Sequence, residues 1–220
     1  MKLNSSNFDR NVFINCPFDE AFEPILQAIL FCTVFLNFFP RLATERNDAG
    51  ENRLEKIRNL IASSKYSIHD LSRCQAMRKG EYFRLNMPFE LGIDFGCRYF
   101  GNGRETKKFL ILDEKRYRYQ AALSDIAGCD IAAYGDEKLL PGVPWVVPQN
   151  AVEHVRNWLV SEADAEHIGP TKIWQSYTEF LGWYYDKKLS EGASVAEIRK
   201  YPTTELLAAM REWVAIGKPV

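Results

Sequence analysis

Lys108-Phe109-Leu110-Ile111-Leu112-Asp113 is the stretch that decides the fold. A short apolar run closed by a carboxylate is the pattern of a strand buried on both faces. Similar runs recur around it. Upstream lie Asn11–Asn15, Phe39–Thr44 and Tyr66–Leu71, and downstream lies Asp130–Tyr134. Pro40 has no N–H to give to a ladder, so its run is expected to begin there or to sit at a sheet edge. Helical patterns separate the runs. One starts near Glu20, and another covers Glu51–Ala62 with Leu54, Ile57, Leu60 and Ile61 at helical spacing. A third starts at Pro88, which suits a first turn, and ends before Gly101–Gly103. Strand–helix alternation predicts an α/β fold: a parallel five-stranded sheet with helices on both faces.

The pattern changes after Pro141–Pro148. Ala151–Ser161, the aromatic-rich Lys172–Lys188 and Thr203–Val214 read as helices with no strand between them. We therefore expect an α/β domain over residues 1–148 and a helical C-terminal extension over 149–220. Trp174, Tyr177, Phe180 and Tyr184 follow one helix face, which reads as core or as a partner surface.

Bulk properties narrow the function classes. The 220 residues are 46% hydrophobic and 26% charged, with a formal net charge of -1. This is globular composition with no basic excess, so nucleic acid is not the expected partner. Cys16, Cys32, Cys74, Cys97 and Cys129 are odd in number and lack Cys-x-x-Cys spacing, which suggests reduced thiols and neither disulfides nor zinc. The three histidines are too dispersed to form a metal-ligand set, and no metal or cofactor is expected. The opening Met1–Asn7 lacks the apolar core of a signal peptide. Ile25–Phe39 is nearly all apolar, but it is shorter than the ~20 residues of a membrane helix and carries Gln27 and Asn37. It reads as a core helix running into a buried strand. A cytoplasmic protein with no membrane contact is the expectation.

Parallel sheets bind ligands at the carboxyl ends of their strands, and the unusual residues collect there. Glu90, in Asn86-Met-Pro-Phe-Glu-Leu-Gly92, falls in the opening turns of a helix between Phe89 and Leu91. As a bare pattern it reads first as a carboxylate complementing the helix dipole. In a half-apolar setting the same carboxylate can capture or stabilise an oxocarbenium-like sugar. Gly92 and Gly96, one turn apart, are expected to let a neighbour pack closely. Asp70 and Ser72 end a strand in Asp-Leu-Ser, where the carboxylate would accept ribose hydroxyls or simply shape a turn. His69 points to the opposite face by strand alternation and reads as a satisfied core histidine. Asn15, Pro17 and Phe18 form the turn after the first strand, with Phe18 offering a stacking face. Cys16 lacks a companion histidine and is not taken as a nucleophile. Arg73, Arg78, Lys79 and Arg84 surround a polar loop and would meet phosphates or solvent. Tyr117 and Tyr119 would flank a base or pack internally.

Four segments then carry a resemblance: Val12-Phe-Ile-Asn-Cys-Pro-Phe-Asp19, Ile68-His-Asp-Leu-Ser72, Asn86–Gly92 and Phe109-Leu-Ile-Leu-Asp113. Their order is similar to that of the TIR-like and nucleoside 2-deoxyribosyltransferase-like group of flavodoxin-like domains. The likeness covers roughly residues 10–135. It implies a nucleotide-like ligand, Glu90 as the carboxylate of N-glycosidic cleavage and Asp70 as the sugar contact. It also implies Asn15, Pro17, Phe18, Ser72, Asn86 and Tyr117 around the ligand. Many bacterial TIR-like domains cleave NAD in anti-phage defence, so an NAD glycohydrolase is the leading expectation. The alternatives are a nucleotide-sensing or self-assembling module and a (deoxy)ribosyltransferase of nucleoside salvage. The Asn-Cys-Pro-Phe-Asp turn and the added loop from Arg73 to Arg84 depart from typical TIR patterns.

Overall fold

The computed structural model describes residues 5–45, 48–74, 76, 79–80, 84–135 and 147–217. Arg78, named above among the loop cations, lies outside the described residues. Five parallel strands form one sheet in the order β2-β1-β3-β4-β5. They are β1 (Asn11–Asn15), β2 (Phe39–Arg41), β3 (Tyr66–Asp70), β4 (Lys108–Asp113) and β5 (Ile131–Ala133). This is a flavodoxin-like α/β architecture with a helical C-terminal region. Every residue of β1 and β3 is buried, because both strands are interior and both of their faces are covered.

β2 is the edge strand, which is where Pro40 can sit without a missing ladder bond. It is shorter than the sequence suggested. The Leu42 amide donates to Glu45 Oε1 at 2.7 Å, and Ala43–Glu45 coil into a 3-10 turn. Beyond β4 the chain forms two short 3-10 turns, Arg118–Ala121 and Ser124–Ile126.

Helices α1 (Glu23–Phe35) and α4 (Pro148–Ala163) cover one face of the sheet, where Val12, Ile14, Ile68 and Leu112 join their core. Helices α2 (Arg53–Ala62) and α3 (Asn86–Phe100) cover the other face, against Phe13 and Ile111. Asn52 caps α2 by accepting the Leu54 and Glu55 amides at 2.9 and 3.2 Å. Both α2 and α3 begin at the carboxyl edge of the sheet, as βαβ connections require.

The tail consists of α5 (Pro170–Ser190), the short α6 (Val195–Ile198) and α7 (Thr203–Ala215). It packs on α1. Phe31 of α1 meets Tyr177, Phe180 and Trp213 with ring centroids 5.4, 5.4 and 5.6 Å away. This explains the apolar run at 25–39. α1 has the sheet on one side and α4, α5 and α7 on the others, so it is apolar all round. Among the described residues, no helix is long and apolar enough to cross a membrane.

Candidate functional site

The carboxyl edge of the sheet gathers the chemistry. β1 and β3 pair with Asn15 opposite His69, so their next residues, Cys16 and Asp70, follow side by side. On the other flank Asp70 pairs with Leu112, which brings Asp113 next to it in β4. Asp70 is fully buried. Its Oδ1 accepts the Ser72 amide at 2.9 Å and the Ser72 hydroxyl, the turn its sequence suggested. Its Oδ2 is buried without a partner among the described residues. Burial pushes the Asp70 carboxyl up to about 6, the Ser72 hydrogen bonds work against this, and the negative Asp113 adds to it. The Tyr134 hydroxyl lies beside Asp70 and Ser72 but makes no hydrogen bond of full geometry.

Glu90 sits in the second turn of α3, buried, with no hydrogen bond to its carboxylate among the described residues. Burial pushes it up to about 7, opposed by the positive charge of Arg53 at the start of α2. The buried Cys16 thiol links the two carboxylates. Its pKa is raised well above normal, first by burial and then by Asp70, Glu90 and Asp19. A thiol held protonated in this way is a poor nucleophile.

Asp70 and Glu90 approach from different layers. Strand alternation directs Asp70 to the side of α1 and α4, whereas Glu90 is carried by α3 on the opposite face. Both act on the Cys16 thiol, which lies between them at the carboxyl edge.

Beneath Glu90 runs a buried polar chain. Asn15 Nδ2 donates to the Met87 carbonyl of α3 at 2.9 Å and contacts His69 Nδ1 at 3.0 Å. That leaves His69 Nε2 as the donor to Asp94 Oδ2, 3.1 Å away. Asp94 Oδ1 pairs with Lys107 Nζ at 3.1 Å. Lys107 also donates to the carbonyls of Ile61, at 2.9 Å, and Ser64. His69, Asp94 and Lys107 are all completely buried. Burial would raise Asp94, but the hydrogen bond from His69 and the positive charge of Lys107 hold it below the usual carboxylate range. The chain ties β1, β3, α2, α3 and the start of β4 together directly under Glu90.

The other candidates scatter. Pro17 is buried in the turn after β1. Asn15 has both amide hydrogens committed inside the protein and serves α3. Asn86 is exposed at the first residue of α3, beside the site. Phe18 is 45% exposed and lines a separate cavity between α1 and the tail. Tyr117 is 68% exposed in left-handed backbone (φ 63°) beyond β4, toward the β5 edge. Arg73 and Arg84 both pair with Asp19, Arg73 at 3.2 Å and Arg84 at 2.7 Å. The positive loop thereby clamps onto the turn after β1.

Sequence reading passed over Asp94, Lys107, Arg118 and Tyr134. Asp94 had a signal, because it lies one turn after Glu90 between apolar Ile93 and Phe95. Arg118 pairs with buried Asp113 and with Glu114, closing the far flank. Among the described residues, no group of three or more His, Cys, Asp or Glu is placed to hold a metal.

These features define a class: a flavodoxin-like parallel α/β module whose fold is consistent with nucleotide binding. In comparison with known proteins, no family model, no curated protein and no solved structure matches the chain.

Proposed function

We propose that the protein is a nucleotide N-glycosidase, with NAD as the leading substrate and Glu90 as the catalytic carboxylate. One observation carries the reading. Glu90 is a buried carboxyl raised to about 7, without an internal partner among the described residues, at the carboxyl edge of a parallel sheet. A purely structural glutamate at a helix start would be exposed or bonded to the first-turn amides. A carboxyl poised near neutrality, and desolvated, suits the capture of a cationic ribosyl centre. The approach of that cation would itself lower the pKa of Glu90 and ionise it.

Asp70, with Oδ2 unengaged, would accept a ribose hydroxyl, and Ser72 would hold its Oδ1 in place. In the reaction the glycosidic carbon–nitrogen bond breaks and its electron pair leaves with the base. Water then adds to the ribosyl centre, and its proton passes to solvent. Nicotinamide leaves as a neutral base, so it needs no acid. Asn86 stands beside this site. Pro17, Phe18 and Tyr117 would contact only the more distant parts of a ligand.

The test is release of nicotinamide from NAD by purified protein beside Glu90→Gln. The reading expects loss of about 10²-fold or more in the variant. Equal rates in the two proteins would sink it. Added acceptor base separates hydrolysis from ribosyl transfer by the product formed.

A second reading has its own observation. Leu85 at the N-cap of α3 and Phe89, Tyr99 and Phe100 on it are 60%, 58%, 64% and 90% exposed. An apolar stripe of this kind favours self-association of a sensing or assembly module. Ligand-dependent oligomer size without turnover would support that reading over the first.

A further inference from the structure

α3 turns an uncharged face to water. α1 is covered by α4, α5 and α7, whereas α3 rests on α2, β1 and β3 and leaves its outer side open. At about 100° per residue, Leu85, Phe89, Gly92, Gly96, Tyr99 and Phe100 fall within about 100° of one another on that side. The charged residues of α3 lie elsewhere. Glu90 and Asp94 are buried, and Arg98 lies along the Tyr99 and Phe109 rings, 5.5 Å from each centroid. Phe95 also stacks on Tyr99, at 6.1 Å and 12° between planes, so the Tyr99 ring is held in place before any partner arrives.

Area and order say what covers this face. The exposed parts of Leu85, Phe89, Tyr99 and Phe100 amount to roughly 500 Å² of largely apolar surface, taking about 150–250 Å² for a whole aromatic side chain. A standard interface takes about 800 Å² from each partner, about 56–65% of it apolar, so the patch supplies the apolar part of one such interface. The order of residues is the same read from either end: Phe89, Gly92, Gly96 and Tyr99 are spaced three, four and three residues apart. An antiparallel pair of α3 helices, related by a two-fold axis at residue 94, therefore sets Phe89 on the partner's Tyr99 and Gly92 on the partner's Gly96. Aromatic rings meet at both ends, and glycines at the centre let the axes come as close as the usual range of about 8–10 Å or closer. In the single chain a Cβ at either glycine would meet nothing within 4 Å, so nothing inside it calls for them. With no charge on the face, contact with its own copy brings no like-charge repulsion.

We propose that this face is a homodimer interface, with α3 packed antiparallel on α3 of a second copy. The inference rests on the self-association reading above and deepens it by naming the surface, the partner and the register. It is independent of turnover, because a dimeric N-glycosidase would satisfy it equally.

The test is sedimentation velocity on the full chain. The parent is expected to pass from monomer to dimer as concentration rises. Phe89→Glu and Tyr99→Lys each strand a charge against an aromatic ring and should weaken dimerisation about tenfold or more. Both positions are exposed, and both new charges agree with the helix dipole, so each variant should keep the parent's circular dichroism and its melting midpoint in dilute protein. An equimolar mixture of the two should recover the dimer. One contact then joins the new carboxylate to the new ammonium, and the other restores Phe89 on Tyr99. A parallel pair would give no recovery, since position 89 would then meet position 89. Gly92→Ala and Gly96→Ala should raise the midpoint of dilute monomer and weaken the dimer, because the added methyl holds the helices apart. A parent that stays monomeric at every concentration overturns both the inference and the self-association reading. A dimer that neither charge substitution weakens overturns the inference alone, and so does loss of the dimer in both variants without recovery in the mixture. Should either variant not fold, Phe100→Glu, at a ring 90% exposed, tests the same surface by loss of the dimer.

Discussion

Glu90 and Asp70 are both desolvated carboxyls, yet hydrogen bonding sets them apart. Asp70 has Ser72 to hold one oxygen, whereas Glu90 has no internal hydrogen bond among the described residues and is raised further. If Glu90 serves ribosyl chemistry in its ionised form, kcat/KM should rise with pH through about 7 and level off above it. A profile flat from pH 5 to 9 would separate the rate from this group. Stability should move the other way. The folded pKa exceeds the unfolded value of 4.5, so the native state holds the extra proton between them. Stability therefore falls as pH rises from 4.5 to 7. Glu90→Gln escapes that loss, and should be more stable than the parent at pH 8, by up to about 3 kcal/mol, but not at pH 4. Denaturant melts at the two pH values check this. The Asp94–Lys107 pair carries the opposite sign of effect. Lys107→Ala strands a buried carboxylate and two carbonyls, and should cost about 3–5 kcal/mol in the same measurement.

At the level of elements, α3 departs from expectation in one informative way. Gly92 and Gly96 suggested a close approach by a neighbour, but a Cβ at either position would meet nothing within 4 Å. They are helix-interior glycines facing open space, with ordinary helical backbone. Gly92→Ala and Gly96→Ala should each stabilise by roughly 0.5–1 kcal/mol, read as a higher denaturation midpoint. A fall in midpoint would mean that another chain or ligand packs there. The strands were legible to different degrees: burial on both faces forces a continuous apolar run at 109–112 of β4, whereas β3 buries Ser67, His69 and Asp70 among its apolar residues. The edge position of Pro40 was legible for an equally local reason. The Asp94–Lys107 partnership was not, because its members lie in different elements and meet only once α3 is docked. Nor was the distance of Phe18 and Tyr117 from Glu90, since a residue's place along a strand end does not reveal how the turn beyond it folds.

The whole molecule turns on α1. Composition divides the chain near residue 148, yet one hydrophobic core runs across that point from Val12 to Trp213. α4 supplies Val152, Val155 and Leu159 to the face that α1 shares, and its His154 and Asn150 bond the Ala133 and Tyr134 carbonyls at the end of β5. α5 and α7 then enclose Phe31, a fully buried ring. A chain ending at residue 148 would leave β4, β5 and most of α1 facing water. Restoring α4 alone, by ending at residue 169, would still expose Phe31, Phe35 and their neighbours. Fully burying one such side chain contributes about 1.5–3 kcal/mol against the 5–15 kcal/mol of a typical domain's total stability, so the shorter chain, which loses the cover of the sheet as well as that of α1, exhausts its margin first. The chain ending at 148 should therefore be unfolded or aggregated, and the one ending at 169 folded but with a markedly lower midpoint and exposed apolar surface. Circular dichroism and dye binding distinguish these states. A cooperative unfolding transition in the 148-residue chain, at the midpoint of the full protein, would show instead that the sheet and α1 are sufficient alone and that the helices after them are a covering added to a finished core.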